Sequence, residues 1–415
     1  MIRIRQKFEA TRVDSVAAAV ETELSKLRLA ERIRPGETVA ITAGSRGIAN
    51  IAEIVRAIVE HIRGCGGAPF VVPAMGSHGG GTVEGQVKVL ASYGITEARI
   101  GVPVQATMDT VIVDETPHGV PVHFDRIAAE ADHVVVCNRV KPHTGFVGPI
   151  ESGLHKMMLI GLGNHAGAKV YHQAIADLTF EEIIRAVGQS VIQNCGILAG
   201  LAIVENAYDE TGHVEAVAPQ DFFHRERELL DLSRRWLPGL PFDEVDLLIV
   251  DRIGKNISGT GMDTNVIGRK YNDHESTEDD TAVVKRILVR GLTEESHGNA
   301  TGIGIAEFTT QACVDSINRV TTNLNSITGN HPEAGMIPLT YTTDREAAAA
   351  GLSTVGMVSP GEARVIQISD TLHLSECLVS EAYADAILPR ADLEILGEPK
   401  SMEFDATGAL KDVLE

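Results

Sequence analysis

The chain has 415 residues, of which 44% are hydrophobic and 22% are charged. This length exceeds what one ordinary hydrophobic core holds, so two domains are expected. Acidic side chains outnumber basic ones by 57 to 36, which gives a formal net charge of −21. A basic stripe that would bind nucleic acid is therefore not expected, although a local pocket of Arg, Lys and His can still bind an anionic small molecule.

The cysteines and the apolar runs narrow the class of protein further. No CxxC pair and no run of eighteen apolar residues is present, so a zinc ribbon, a disulfide framework and a membrane span are not indicated. The N-terminal residues alternate like a strand and lack a signal-peptide core. We therefore expect a cytoplasmic protein. The cysteines are Cys65, Cys137, Cys195, Cys313 and Cys377.

Strand and helix signals alternate through the first half of the chain. This alternation predicts βα units and a mostly parallel sheet, with a hairpin or two edge strands at 110–113 and 121–124. Thr82 has the position and the side chain of a helix cap. The predicted strands are 37–43, 70–73, 132–138 and 200–204, and the predicted helices are 50–62, 82–93 and 180–193.

A charged helix at 224–235 ends at a Pro-Gly-Pro break in residues 237–241, and a new buried strand follows at 245–250. The predicted domains are therefore 1–241 and 242–415. The fold class is α/β, with two domains that each contain a mostly parallel sheet flanked by helices and an active site in the cleft between them. Further predicted elements are strands at 286–289 and 301–305, a helix at 311–324, an acidic loop at 272–280 and late elements at 363–368 and 383–387.

Four loops with polar or ionisable residues each follow a predicted strand. Parallel strands deliver such loops to one edge of a sheet, so we expect these side chains to converge on a cleft. Each feature alone also has a structural explanation, such as a surface arginine, a capping histidine or a solvated lysine. Glycine-rich backbone and basic side chains together suit a phosphate or a carboxylate. The loop residues are Gly44, Ser45 and Arg46; Gly76 and His78; Lys141 and His143; and Lys255.

The segment 140–167 contains three histidines and two lysines and comes directly after a buried strand. A histidine on each face of a substrate is what a racemase or an epimerase needs to remove and return a proton. For a 2-hydroxy acid, moving the Cα hydrogen as hydride avoids a carbanion beside the carboxylate. Such a reaction requires a hydride-accepting cofactor, since no side chain accepts hydride.

The order of Arg46, His78, His143, Lys156 and Asn164-His165 resembles the nickel-dependent lactate racemase family, whose members carry a nickel-pincer nucleotide. The resemblance extends over most of the chain. It implies a racemase or epimerase that inverts the Cα of a 2-hydroxy acid by hydride transfer to this cofactor.

The resemblance also implies roles for single residues. His78 and His143 are implied as the two general acid/base groups, Lys156 as the lysine that tethers the cofactor, and His165 as the protein ligand of nickel. Imidazole beside soft sulfur ligands suits Ni(II). The loops that carry Arg46, Ser45, Gly44 and Gly76 are implied to hold cofactor phosphate or substrate carboxylate, and Lys255 is implied to reach in from the second domain.

The spacing leaves two of these assignments open. The interval from His143 to Lys156 is longer than in the family, and the interval from Lys156 to His165 is shorter. Lys141 is therefore an alternative to Lys156 for the tether, and His155 is an alternative to His165 for the nickel ligand.

Two other functions are compatible with the same segment. The loop Gly161-x-Gly163, followed by Gly167 and by Asp177 downstream, is the pattern of a dinucleotide-binding turn, so an NAD(P)-dependent oxidoreductase is one alternative. A non-catalytic metabolite- or metal-binding protein is the other. His172, His118 and His123 are interpreted as structural or solvated. The expected partner is a small-molecule 2-hydroxy acid, without nucleic acid or membrane; the oligomeric state is left open, with a homodimer as one expectation.

Overall fold

The computed structural model describes residues 1–45, 47–175, 177–411 and 414. The chain divides into two compact units, which we call the N-terminal unit (Glu9–Leu237) and the C-terminal unit (Met1–Phe8 with Pro238–Glu415). The division near residue 238 lies close to the predicted boundary at 241. The first eight residues, however, belong to the C-terminal unit, because their strand pairs with two strands of its sheet.

Both units contain β-strands. They are β1 (Ile2–Gln6), β2 (Thr38–Ala43), β3 (Ala68–Pro73), β4 (Thr110–Glu115), β5 (Pro121–Asp125), β6 (His133–Arg139), β7 (Ile197–Glu205), β8 (Thr211–Val217), β9 (Glu244–Val250), β10 (Val283–Val289), β11 (Phe308–Thr310), β12 (Leu339–Tyr341), β13 (Val365–Ile368), β14 (Glu376–Val379) and β15 (Leu393–Ile395).

Within the described ranges, no helix combines the length and the apolar character needed to cross a bilayer. The helices are α1 (Val16–Lys26), α2 (Ile51–Gly64), α3 (Val83–Ser92), α4 (Glu97–Ile100), α5 (Arg126–Ala129), α6 (Leu154–Lys156), α7 (Asn164–Ala174), α8 (Phe180–Asn194), α9 (Phe222–Trp236), α10 (Thr264–Ile267), α11 (Gln311–Asp315), α12 (Arg319–Thr328), α13 (Asp344–Leu352) and α14 (Ala384–Ile387).

The main sheet of the N-terminal unit has the strand order β3-β2-β6-β7-β8. The first four strands are parallel, and β8 pairs antiparallel with β7 at the edge. Alternate residues of β6 enter two separate cores, one with α8 and α9 and the other with α1 and α2. A sheet covered on both faces explains the continuous apolar runs in its strands. The predicted parallel α/β architecture is confirmed.

The parallel register brings the loops of the site together. Ala43, the last residue of β2, pairs with Pro73, the last residue of β3. The loops that begin at Gly44 and Ala74 therefore leave the sheet side by side. The chain after β6 leaves the same edge, because β6 is the other parallel neighbour of β2.

The sheet of the C-terminal unit has the order β12-β11-β10-β9-β13-β14-β1-β15. The five strands from β12 to β13 are parallel. β14, β1 and β15 complete the sheet in antiparallel pairs. This unit too is mostly parallel, as predicted.

Two predicted elements of the C-terminal unit are wrong. Residues 301–305 do not form a strand; Ile303–Ile305 form a 3₁₀ turn after Gly302, which has φ +103° and packs so tightly that a Cβ would overlap the Thr260 carbonyl. The predicted helix at 311–324 is two helices, α11 and α12, because Asn318 starts a new helix by accepting a hydrogen bond from the Thr321 N–H.

Candidate active site

Ser45 and His78 lie next to each other at the edge of the N-terminal sheet. The Ser45 hydroxyl and His78 Nδ1 form a hydrogen bond. The Tyr93 hydroxyl donates to the Ser45 carbonyl at 2.9 Å, which fixes the serine backbone. The His78 N–H donates to the Met75 carbonyl, and the imidazole is exposed. The predicted proximity of these two loops is thus present, and Ser45 contacts a histidine. Arg46, the third candidate of its loop, lies outside the described residues.

The glycines of these loops are explained by packing within the protein. The Gly76 N–H donates to the Gly161 carbonyl, and the Gly76 carbonyl accepts a hydrogen bond from the buried Gln86 side chain at 3.1 Å. A Cβ at Gly76 would lie 3.0 Å from Ile160 Cγ2, and its φ is +59°. A Cβ at Gly44 would lie 3.2 Å from Met157 Cε. Both glycines therefore allow the segment after Lys156 to pack against the sheet edge.

His143 has a fixed orientation. Its Nδ1 accepts hydrogen bonds from the Gly145 N–H at 2.9 Å and the Phe146 N–H at 3.0 Å. Its ring stacks on Phe146, with 4.2 Å between centroids. Its own N–H donates to Glu151 at 2.7 Å. The backbone of the 143–146 turn thus determines which way the imidazole points.

Glu151 connects this turn to helix α9. The carboxylate is almost fully buried, and its second oxygen pairs with Arg234 of α9 at 2.9 Å. Arg234 also donates to the Gly148 carbonyl at 3.3 Å. A buried carboxylate needs such partners, because burying a charge without them is costly. Glu151 therefore anchors the loop that carries His143 to a helix of the core.

Lys156 and His172 both lie near the aromatic ring of Phe146. Lys156 Nζ is 5.6 Å from the centroid of Phe146, and the His172 ring is 6.3 Å from it. Phe146 in turn stacks on Phe180 at 3.9 Å. Burial lowers the pKa of His172, and the charge of Lys156 lowers it further. This part of the site thus combines a lysine with an imidazole whose pKa lies below its ordinary value.

Sequence reasoning missed His172, which was interpreted as structural or solvated. The signal was its spacing: His165 and His172 are seven residues apart on α7, two helical turns, so they project from one face roughly 10 Å apart along the axis. His165 is exposed beside the glycine loop, where a Cβ at Gly81 would lie 3.6 Å from His165 Nδ1. Ala168, between them on that face, packs next to Gly76. The face of α7 that carries His165 and His172 therefore extends from the loop that contains His78 to Lys156.

His155, the alternative nickel ligand, has a structural role. Its side chain is buried, and its Nδ1 pairs with Glu226 of α9 at 2.8 Å. The same carboxylate oxygen accepts the His155 N–H at 3.1 Å. A Cβ at Gly188 would lie 2.6 Å from the His155 ring, which shows how closely α8 covers it. This pair holds the turn whose next residue is Lys156.

The remaining lysine candidates lie elsewhere. Lys141 is half-buried, and its N–H donates to the Ser152 carbonyl at 3.1 Å. Lys255 belongs to the C-terminal unit, in the loop after β9, where its ammonium group donates to the Gly259 carbonyl at 2.5 Å. Nowhere in the described part of the chain are three His, Cys, Asp or Glu side chains grouped so that they could hold a metal ion.

The glycine pattern at 161–167 does not have the structure of a dinucleotide-binding turn. That motif needs a strand before the glycines and a helix after them. Here Leu154–Lys156 is helical, Met157–Gly161 continues as a π-helical turn, and Gly167 lies inside α7. A Cβ at Gly161 would lie 2.8 Å from the Ala74 carbonyl. The glycines serve helix packing, and the oxidoreductase alternative loses its structural support.

Comparison with known proteins gives a consistent picture. Residues 3–201 match the family model described as the lactate racemase N-terminal domain. No curated protein matches the chain. The structure of the lactate racemase apoprotein from Thermoanaerobacterium thermosaccharolyticum is similar over 89% of this chain and 93% of its own, with a TM-score of 0.56 and 13% sequence identity. A crystal structure of a protein from Thermotoga maritima is similar over 88% and 98%, with a TM-score of 0.51 and 12% identity.

The fold and the grouped side chains define a two-unit α/β protein with a site rich in histidine and lysine at the edge of its N-terminal sheet. Within this class, residues 3–201 are similar to the lactate racemase N-terminal domain. This match over residues 3–201 agrees with the resemblance seen in the motifs of that part of the chain. At 13% identity, the structural likeness shows the shared fold alone.

Proposed function

We propose that the chain is a racemase or epimerase that inverts the Cα of a 2-hydroxy acid with the help of a nickel-pincer nucleotide. The observation that carries this proposal is the grouping of His78, His143, Lys156 and His172 along one connected set of contacts. These contacts run from Ser45 through the glycine loop and α7 to Phe146. They lie in the N-terminal unit, most of which matches the lactate racemase domain.

The residues present fit the proposed cofactor. Lys156 is a half-buried amine over an aromatic ring and is the proposed tether, with Lys141 as the alternative. A metal-ligating histidine must be neutral, which the lowered pKa of His172 favours. His172 is therefore a second candidate for the nickel ligand beside His165. When bound, the cofactor supplies the hydride acceptor that no side chain supplies.

The side chains of the N-terminal unit supply binding and proton handling. His78 and His143 are the proposed groups that act on the substrate hydroxyl, because a histidine can hold or release a proton near neutral pH. Arg46 and Lys255 are proposed to bind the substrate carboxylate or the cofactor phosphate. Ser45 and the backbone at Gly44 are proposed to line the same edge. The active site in a cleft between the two units, the cytoplasmic location and the homodimer remain predictions.

Turnover of enantiopure substrates tests this proposal. The protein is produced in a host that makes the cofactor and is incubated with short and sugar-derived 2-hydroxy acids, and the stereoisomers are separated by chiral chromatography. We expect interconversion of the two Cα configurations without added NAD(P). Protein from a host without the cofactor genes is the control. Nickel-loaded protein that retains a ligand but converts no substrate would indicate the non-catalytic binding protein instead.

A further inference from the structure

The two histidines of the proposed site have different partners at Nδ1. Nδ1 of His143 accepts two backbone N–H groups, those of Gly145 and Phe146. Nδ1 of His78 bonds to the hydroxyl of Ser45. One partner is thus a pair of obligatory donors, and the other is a group that both donates and accepts.

This difference sets the position of the ring proton. A neutral imidazole has one N–H donor and one acceptor nitrogen. Because Nδ1 of His143 accepts two N–H bonds, it carries no proton, and the proton of the neutral ring is on Nε2. A proton on Nδ1 would point towards the hydrogens of two backbone N–H groups, and this contact would be repulsive. The 143–146 turn would have to open first, and it is held by Glu151 and Arg234.

At Nδ1 of His78, the partner that the structure describes is a hydroxyl instead of a backbone N–H. The Ser45 hydroxyl can rotate, so it donates to Nδ1 in one tautomer and accepts from it in the other. In the second tautomer Nε2 has a lone pair and can take a proton. The backbone of Ser45 does not need to move, because its carbonyl is held by Tyr93.

We propose that the two histidines are not interchangeable. His78, positioned by Ser45, exchanges the proton of the substrate hydroxyl, and His143 is a fixed Nε2–H donor that binds a substrate oxygen. This inference rests on the proposed function and refines its symmetrical use of two acid/base groups. Ser45 is then a positioning residue that sets the tautomer of His78.

The proton balance of this step is simple. With its Nδ1–H bonded to Ser45, His78 takes the hydroxyl proton at Nε2 and becomes an imidazolium. When bound, the cofactor would supply the hydride acceptor and donor for Cα, so the chain's own residues handle only the hydroxyl proton. His78 then gives its proton back to the same oxygen, and His143 keeps its own proton throughout.

A matched pair of substitutions tests the division of roles. His143→Gln keeps an N–H donor, so we expect turnover to fall by no more than about tenfold. His78→Gln removes the exchangeable proton, and we expect a loss of roughly 10²–10⁴ in turnover, the range of general acid–base catalysis. Ser45→Ala should lower turnover, and Ser45→Thr, which restores the hydroxyl, should recover most of it. Equal losses in His78→Gln and His143→Gln would overturn the proposal.

The tautomers of the two histidines can be determined by NMR without measuring turnover. Two-bond ¹H–¹⁵N correlation spectra of uniformly ¹⁵N-labelled protein distinguish a protonated from an unprotonated ring nitrogen. Signals are assigned by their loss in His78→Gln and His143→Gln. We expect His143 to be protonated on Nε2 alone at neutral pH, and Ser45→Ala to shift the His78 signals but not those of His143.

The outcomes separate this inference from the proposed function. A proton on Nδ1 of His143 in a protein that converts 2-hydroxy acids overturns the unequal roles and leaves the function intact. If nickel-loaded protein shows the expected tautomers but does not convert any substrate, the proposed function is wrong. The proposed proton exchange by His78 is then wrong as well.

Discussion

Lys156 and His172 face the same aromatic ring, that of Phe146, and the charge of the lysine adds to burial in lowering the pKa of the histidine. The positive charge and the imidazole are therefore neighbours in the site. A lysine that loses its charge by binding a cofactor covalently would remove one of the two causes of that lowered pKa. This relationship ties the proposed tether to a histidine that the sequence alone did not single out.

The nickel ligand is the first prediction. His172 is half-buried next to Lys156, whereas His165 is exposed beside Gly81. We expect His172→Ala to lose most of its nickel and His165→Ala to keep more, measured by inductively coupled plasma mass spectrometry on protein from a cofactor-producing host. The two residues lie on one face of the same helix, so each variant is a matched control for the other. The opposite order would return the assignment to His165.

The tether is the second prediction. Lys156 lies over Phe146 within the site, and Lys141 comes directly after β6. Intact-mass spectrometry of the loaded protein should show an added mass in the wild type and in Lys141→Ala, and none in Lys156→Ala. An added mass that persists in Lys156→Ala and disappears in Lys141→Ala would show that the earlier lysine is the tether. The absence of an added mass from nickel-loaded wild-type protein would indicate a cofactor held without a covalent bond.

The third prediction concerns the buried pair of His155 and Glu226. Removing the carboxylate leaves two buried donors of His155 without their acceptor, and breaking a buried pair in this way costs about 3–5 kcal/mol. We expect Glu226→Ala to lower the free energy of unfolding of the N-terminal unit by that amount. The single tryptophan, Trp236 on the same helix, reports this unfolding by its fluorescence in a urea titration.

Glu228 is the matched control on α9. It forms ion pairs with Arg225 and His224 at a partly exposed position, and such surface pairs contribute about 1 kcal/mol or less. Glu228→Ala should therefore change the urea midpoint far less than Glu226→Ala. Similar shifts in both variants would mean that the buried pair does not stabilise the turn before Lys156.

The fourth prediction is a pH dependence in the C-terminal unit. A hydrogen bond to Asp273 raises the pKa of His331 above its ordinary value. A raised pKa means that the folded state holds the proton more tightly than the unfolded chain. The stabilisation is therefore complete below the ordinary histidine pKa of about 6.5, and it is lost as the pH rises through the raised value.

Asp273→Asn removes the charge that holds this proton. In an NMR titration, we expect the His331 pKa to fall towards its ordinary value, and the drop in thermal stability across that pH window to disappear. Asp279→Asn, an exposed acid of the same loop, is the control and should leave the His331 titration unchanged. An unchanged pKa in Asp273→Asn would show that the pair does not form in solution.

The sequence predicted the parts of the fold that depend on local pattern. The apolar runs at β2, β6 and β9 are long enough to be strands buried on both faces, and Thr82 caps α3 through its side chain as expected. Pairing between distant segments has no such local signal. β1 joins β14 and β15, which lie near the other end of the chain, and nothing in its own alternation indicates which unit it completes.

Helix α12 shows another limit of local pattern. It exposes Val320, Leu324 and Ile327 and buries Thr322 and Ser326. Its apolar residues thus face solvent, and its inner face is held partly by a hydrogen bond from the Ala300 N–H to the Thr322 hydroxyl. A rule that places apolar residues inside assigns the wrong face to this helix.

For the candidate site too, the features that follow from local pattern could be predicted and those that depend on distant contacts could not. The neighbouring positions of Ser45 and His78 could be predicted, because consecutive parallel strands end at one edge of the sheet. The helix that carries His165 and His172 was missed, since its first turn contains glycine and has no side-chain cap. Without that helix, the two-turn spacing of the histidines carries no information. The roles of His155 and Gly76 could not be predicted, because both depend on contacts with distant segments.

The central claim is that the protein inverts a 2-hydroxy acid by moving the Cα hydrogen as hydride. The most direct test uses a single enantiomer deuterated at Cα, incubated in ordinary water with the nickel-loaded protein, and analysed by chiral separation and mass spectrometry. We predict that the opposite stereoisomer forms with the deuterium retained at Cα. Formation of that stereoisomer with hydrogen from water at Cα would contradict the account, since it would show proton abstraction from carbon.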